Sequence, residues 1–176
     1  SDLEFIVIDG GSVDGTQKVI ERYSDRLAFF ISEPDEGQYH GIQKGFDLAS
    51  GEVVCWLNAD DILLPGALST VYEIFSMDRS VCWITGRTAF LSADGQLVSI
   101  SGKPASYGSW LIAKGLYNSK MLGYLQQENI FWRRNLMVEV GGLNLNYKFA
   151  ADFELWMRFA RKTSLNLVNR PLAAFR

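Results

Sequence analysis

Four acidic residues in this sequence, two of them adjacent, are placed to do chemistry. Asp60 and Asp61 end the apolar run VVCWL (53–57), with Asn58 two residues before Asp60. Adjacent carboxylates repel each other, so a positive partner belongs beside them. An oxygen-rich cluster of this kind suits a hard divalent cation, Mg²⁺ or Mn²⁺, that also grips substrate phosphates. The competing reading is a solvated turn in which Asp61 caps the next helix. Asp9 ends the run LEFIVID (3–9) just before GGS. There it can accept hydrogen bonds from a base or ribose, although turn chemistry alone also favours Asp at such a site. Asp152 lies near the start of an expected helix, and positions 152, 156 and 159 share one helical face. That face carries Asp152, Trp156 and Phe159. A charged carboxylate on an apolar stripe is costly to bury, so it should face a cleft or a partner, where it can serve as a general base. The helix dipole favours an acid in a first turn without any catalytic role. His40, in DEGQYHGIQKG, reads as a partly exposed helix residue.

The elements that must position these residues follow from periodicity and punctuation. LEFIVID reads as a buried strand. Asp14 and Gln17 mark a helix start, and the helix runs to about Ser24. RLAFFIS (26–32) is a second strand and EPDEG (33–37) a turn. A helix over 38–49 places Ile42, Phe46 and Ala49 on one stripe, and VVCWL is a third strand. Pro65 suits the first turn of a helix over 67–75. Strands alternating with helices predict a mostly parallel sheet with helical crossovers. Ligands of such sheets bind beyond the carboxyl ends of the strands, where Asp9 and Asp60 lie. In the second half, ADG between SVCWITGRTAFL (80–91) and QLVSI (96–100) signals a hairpin. A helix and a loop are expected over 106–125. NIFWRR (129–134), a short helix near 135–140, the loop GGLNLNYKF, a helix over 151–162 and one or two edge strands follow.

Composition narrows the function classes. With 176 residues, 48% hydrophobic and 21% charged, the chain reads as one ordinary globular domain. The net charge of −3 argues against nucleic acid as a partner. Arg133, Arg134, Arg158, Arg161, Lys162 and Arg170 read as solvated helix faces. Cys55 and Cys82 sit inside apolar runs as small core residues, and the single His excludes a multi-histidine metal site. GGSVDG matches neither a dinucleotide-binding nor a P-loop fingerprint. No signal-peptide pattern opens the chain, and no apolar run reaches the ~20 residues of a bilayer span. A cytoplasmic setting is therefore expected. The chain starts almost directly in an apolar strand and reads as a piece of a longer protein. Association with the inner face of a membrane would then rest on flanking segments.

Together these motifs resemble glycosyltransferase family 2, of GT-A fold. IVIDGGSVDGT (6–16) resembles the family's V-D-D-G-S-x-D-G-T motif. SEPDEGQYHGIQKGFDLASGEVVCWLNADD (32–61) is similar to its run through S-E-x-D-x-G-x-Y-D-A-x-N-K-G to the metal motif. LQQENIFWRRNLMVEVGGLN (125–144) and AADFELWMRFA (150–160) resemble the acceptor-side region and the E-D-x-E-L-W-x-R helix. The resemblance implies a Rossmann-like α/β sheet flanked by helices with a small mixed or antiparallel acceptor-side portion. It implies a nucleotide-sugar half over 1–75 and an acceptor half over 76–176. Asp9 would contact the base, Asp60 the Mg²⁺ or Mn²⁺ ion, and Asp152 would be the general base. Asn58 stands where many relatives carry an Asp, and Lys44 would reach the donor. Gln127, Glu128, Arg133, Arg134 and Trp156 would line or support the acceptor side. Ala151 replaces a common Glu, His40 and Gln43 replace a common Asp and Asn, and the family's first strand with its P-x-Y-N segment is absent from this sequence.

The implied reaction is inverting transfer of a sugar from a nucleoside diphosphate sugar to a hydroxyl of a carbohydrate or lipid-linked acceptor, in polysaccharide or glycoconjugate synthesis. Two other readings stay open on sequence alone. A sugar nucleotidyltransferase would release pyrophosphate and would need a triphosphate loop. A catalytically inactive carbohydrate- or partner-binding relative would fit the departures at Asn58 and Ala151.

Overall fold

In a computed structural model of the chain, residues 2–101, 107–118 and 120–176 are described. Strand β1 (Ile6–Asp9) pairs in parallel with β2 (Phe29–Ser32), with Asp9 opposite Ser32. Parallel strands need a crossover, which helix α1 (Thr16–Glu21) and a 3₁₀ turn at Ser24–Arg26 supply. The Asp14 carboxylate accepts from the Thr16 backbone N–H and hydroxyl at 3.1 and 2.6 Å and so starts α1, as its position predicts. Helix α2 (Gln38–Leu48) turns Tyr39, Ile42 and Phe46 onto the core. It leads to β3 (Val53–Val54), β4 (Ile62–Leu63), helix α3 (Ala67–Met77) and β5 (Trp83–Thr85). The expected hairpin is β6 (Ala89–Leu91) against β7 (Leu97–Ile100). Helix α4 (Ser109–Ala113) follows. Residues 106 and 119 of the helix-and-loop stretch lie outside the described residues. The chain ends through β8 (Ile130–Arg133), α5 (Arg134–Glu139), α6 (Ala151–Ala160), β9 (Asn166–Leu167) and β10 (Ala173–Ala174).

The central ladder runs β3-β8-β5-β9. Parallel ladders join β1 to β2 and β5 to β9, whereas β8 lies antiparallel between β3 and β5. β8 arrives from the long excursion after β5 rather than through a helical crossover, so the parallel βαβ constraint does not apply to it. Side chains alternate across this ladder. Trp83, Ile130 and Trp132 face a core that includes Leu136 of α5 and Leu155, Trp156 and Phe159 of α6. Ile84 and Phe131 face Ala67, Val71 and Phe75 of α3. The result is a mixed sheet with a helical layer on each side. Trp56, Trp83, Trp132 and Trp156 form a ring cluster with centroids 5.3 to 6.0 Å apart. Such pairs add about 0.5–1.5 kcal/mol each beyond their buried area.

Candidate active site

The N-terminal end of α2 contacts two of the candidate residues directly, Asn58 and Asp152. On one side, Asp9 closes β1 and is buried. Its carboxylate accepts from the Ser12 N–H at 2.9 Å, the Ser12 hydroxyl and the Ser32 hydroxyl at 2.6 Å. The Ser12 and Ser32 hydroxyls hold this carboxyl below the ordinary aspartate range, against the opposing effect of burial. The turn after Asp9 is pressed against the turn before α2. A Cβ on Gly10 would lie 2.9 Å from Asp35 Oδ2, so any larger residue there would have to displace the Asp35 carboxylate. Asp35 Oδ1 accepts from the Gly37 N–H at 2.9 Å, and Gly37, at φ 125, precedes α2.

The first turn of α2 then reaches two other parts of the chain. The Tyr39 hydroxyl donates to Asp152 Oδ1 at 2.9 Å. Burial, followed by the negative charge of Asp152, pushes the Tyr39 phenol up to about 12, so it remains a donor. Asp152 is half-buried in the first turn of α6, while Ala151, Leu155, Trp156 and Phe159 anchor the buried face of that helix. Ala150, immediately before, has φ 60 and is the only non-glycine residue with positive φ among the described residues. Such a conformation costs about 1–2 kcal/mol in an L-residue and is held by the docked helix that follows.

Gln38, beside Tyr39, donates to Asn58 Oδ1 at 3.0 Å. Asn58 Nδ2 donates in turn to Gln127 Oε1 at 3.1 Å and Asp61 Oδ2 at 3.2 Å, and Gln127 Nε2 donates to the Trp56 carbonyl at 2.6 Å. The two adjacent acids thus part company. Asp61 is buried, accepts also from the Arg176 N–H at 3.2 Å, and is pushed up by burial. Asp60 is exposed to solvent. Behind them Glu128 is buried with Oε1 unpartnered, and burial pushes its carboxyl up to about 7. Among the described residues no group of three or more His, Cys, Asp or Glu is arranged to hold a metal ion. Asp60 is the open carboxylate that could share an ion with ligand oxygens.

Asn58, Gln127 and Asp152 are therefore linked by hydrogen bonds through the start of α2, and the turn after Asp9 lies against the turn that precedes that helix. One expected residue is not at this end. Arg133 pairs with Val53 across the ladder, while Gln127 contacts Asn58. Gln127 lies in the 3₁₀ turn (Gln127–Asn129) before β8, and Arg133 closes that strand. Its guanidinium binds Glu52 and the carbonyls of Val81, Phe75 and Asp78, at 2.8 to 3.0 Å for the carbonyls. Arg133 is a brace between β8 and α3, not a ligand of the site, and the reading of it as a solvated helix-face residue is likewise corrected. Trp156 is 1% exposed within the ring cluster and supports α6 from behind rather than lining a cleft. Lys44 binds Glu33 at 2.7 Å, tying α2 to the turn facing Asp9. Sequence reasoning passed over Tyr39, although it stands next to His40 in the same motif. It also passed over Ser12 and Ser32, the hydroxyls that hold Asp9.

Residues 1–151 match the profile of Glycosyl transferase family 2. A PGL/p-HBAD biosynthesis glycosyltransferase of Mycobacterium bovis is 26% identical over 160 residues, covering 89% of this chain and 58% of the relative. An uncharacterized glycosyltransferase of Mycobacterium tuberculosis is 29% identical over 161 residues, covering 90% and 57%. The chain thus spans a little over half the length of these relatives. Among solved structures, S. aureus TarS 1-349 in complex with UDP superimposes with a TM-score of 0.76 at 15% identity, over 99% of this chain and 51% of that one. The mannosyltransferase PcManGT from Pyrobaculum calidifontis, in complex with GDP-Man and Mn²⁺, gives 0.67 at 17%, over 98% and 47%. The fold is that of the GT-A glycosyltransferases, and the chain belongs to glycosyl transferase family 2.

Proposed function

We propose that this domain transfers a sugar, with inversion, from a nucleoside diphosphate sugar to an acceptor hydroxyl, with Asp152 as general base. The observation that carries the reading is the Tyr39–Asp152 hydrogen bond. It fixes a half-buried carboxylate beside the helix end whose Gln38 holds Asn58 and whose preceding turn lies against the one that follows Asp9. Asp9, kept ionised by two hydroxyls, accepts hydrogen bonds from the base of the nucleotide. Complexes with UDP, UDP-GlcNAc and GDP-Man in the structural relatives support a nucleotide-sugar donor.

In the reaction, Asp152 takes the proton of the acceptor hydroxyl as its oxygen bonds to the anomeric carbon. The bond from that carbon to the diphosphate oxygen breaks, and the nucleoside diphosphate leaves with the electron pair. A Mg²⁺ or Mn²⁺ ion, when bound, stabilises the charge on the leaving diphosphate as a Lewis acid. The exposed Asp60 carboxylate fits such an ion, since hard divalent cations in phosphate sites are held by one or two carboxylates together with phosphate oxygens. Asn58 spends its amide on Gln38, Gln127 and Asp61. It therefore shapes the loop and leaves the ion to Asp60. The Tyr39 hydroxyl holds one oxygen of Asp152 and leaves the other for the acceptor. Gln127 and Glu128 support the acceptor side, and Lys44 holds the donor-side turn.

A thermal-shift screen of nucleoside diphosphates and their sugars, with and without Mn²⁺, tests the reading. Ligand at about 100 times its Kd raises stability by about 2.7 kcal/mol. Asp60→Ala should remove the Mn²⁺-dependent part of that shift. No shift with any nucleoside diphosphate would reject the proposal.

A further inference from the structure

Residues 95–127 contain no Asp or Glu, in a chain with 20 of them against 17 Lys and Arg. Within that stretch Trp110, Met121, Leu122 and Tyr124 are 65, 61, 50 and 65% exposed. Lys114 and Lys120 are exposed as well. All six belong to one folded unit. The Leu116 N–H bonds to the Leu111 carbonyl, the Leu122 N–H to the Leu116 carbonyl, and the Met121 and Gly123 N–H groups to the Asn118 carbonyl. These bonds fold residues 116–118 and 120–123 back onto α4. Ile112, Tyr117 and Leu125 are buried and give the unit its own inner face. The exposed side chains are therefore its outer surface. The unit lies against α6, since a Cβ on Gly115 would touch the side chains of Phe153 and Met157 at 3.3 to 3.5 Å. Asp152 is in the first turn of that helix.

Isolated exposed apolar residues are ordinary on a protein surface. Here two aromatic rings and two flexible apolar chains share one unit with two lysines and no acid. Trp and Tyr settle at the headgroup level of bilayers, and Met and Leu enter the acyl boundary. Lysines are drawn to anionic leaflets. A chain of net charge −3 is repelled by such a leaflet as a whole, so a unit with lysines and no acids of its own is what lets it approach. We propose that the unit formed by α4 with residues 116–118 and 120–124 docks the protein on an anionic bilayer. Its place beside α6 then sets the acceptor class: a lipid-linked hydroxyl held at that surface. This last step rests on the reading of Asp152 as the base.

The test is co-sedimentation of the protein with vesicles of phosphatidylcholine mixed with phosphatidylglycerol, against vesicles of phosphatidylcholine alone. Binding to the mixed vesicles is expected, with loss at high salt. Lys114→Gln combined with Lys120→Gln should weaken it about 30-fold, at about 1 kcal/mol for each lysine. Trp110→Ser combined with Tyr124→Ser should weaken it at unchanged charge. All four side chains are exposed, so the thermal melts should not move. Absence of binding, or binding that neither pair alters, overturns the proposal. So does a dimer in sedimentation equilibrium that both pairs dissolve, which would assign the surface to a second copy of the chain. Nucleoside diphosphate binding, measured on the same proteins, separates the two readings. Vesicle binding without nucleotide binding leaves the docking surface standing and removes the transferase reading.

Discussion

Glu128→Gln should remove a large part of the pH dependence of stability. Glu128 is 3% exposed and its Oε1 has no hydrogen-bond partner. Burial, with the charge of Asp61 adding to it, lifts the carboxyl from 4.5 to about 7. An acid whose folded value is raised binds its proton more tightly in the native state. Between these two values the native protein holds the extra proton, so stability falls as pH rises through the window. The gap between them, at about 1.36 kcal/mol per pH unit, makes the loss about 3 kcal/mol once pH passes 7. Glutamine has the same shape and never ionises. Whatever the offset between the two proteins at pH 5, it should move toward the variant by about 2–3 kcal/mol by pH 8. For a domain of this size that is roughly 5–10 °C in Tm. Asp61, also raised by burial, contributes a slope to both proteins and cancels to first order. Thermal or urea unfolding of both at a series of pH values reads the difference directly. Parallel profiles from pH 5 to 8 would refute the burial argument.

Asp152→Asn should lower transfer about 10²- to 10⁴-fold while nucleoside diphosphate binding by calorimetry is unchanged. Tyr39→Phe removes the 2.9 Å bond to Asp152 and should cost about 1 kcal/mol in urea unfolding, together with a lower transfer rate at unchanged donor affinity. Gly86→Ala should destabilise by about 3 kcal/mol. Its Cβ would lie 2.8 to 2.9 Å from Asn129 Oδ1, the Leu172 N–H and the Arg170 carbonyl, in the very contacts through which Asn129 holds the tail. Arg133→Met should cost about 3 kcal/mol by taking the guanidinium donor away from the Val81, Phe75 and Asp78 carbonyls, with no change in nucleoside diphosphate affinity.

Local signals in the sequence carried α2 and α6 to within two residues of their observed ends, because each has an apolar stripe at helical spacing. Asp14 announced α1 by the same logic, through a side chain that acts two residues away. Strand extents were harder. VVCWL reads as five strand residues, yet only Val53 and Val54 pair with β8, since ladder length depends on the partner. The same non-local choice decided the fate of Arg133. Nothing in NIFWRR shows that β8 runs antiparallel and carries its last residue to the far end of the sheet. Nor can an adjacent pair of acids reveal which one turns inward. Here Asn58 and the Arg176 N–H draw in Asp61 and leave Asp60 outside. The Tyr39–Asp152 bond joins residues 113 positions apart, a distance across which periodicity has no reach.

The central claim is that Asp9, Asp60 and Asp152 serve a single ligand. Paramagnetic broadening by Mn²⁺, added together with a nucleoside diphosphate to ¹⁵N-labelled protein, tests it most directly. The amide signals of Gly10, Asp60 and Asp152 should broaden together, only when the nucleotide is present, and recover in Asp60→Ala, while those of Glu52 and Arg133 stay sharp. Broadening at Asp60 that spares Asp152, or that centres on Arg133, would contradict the account.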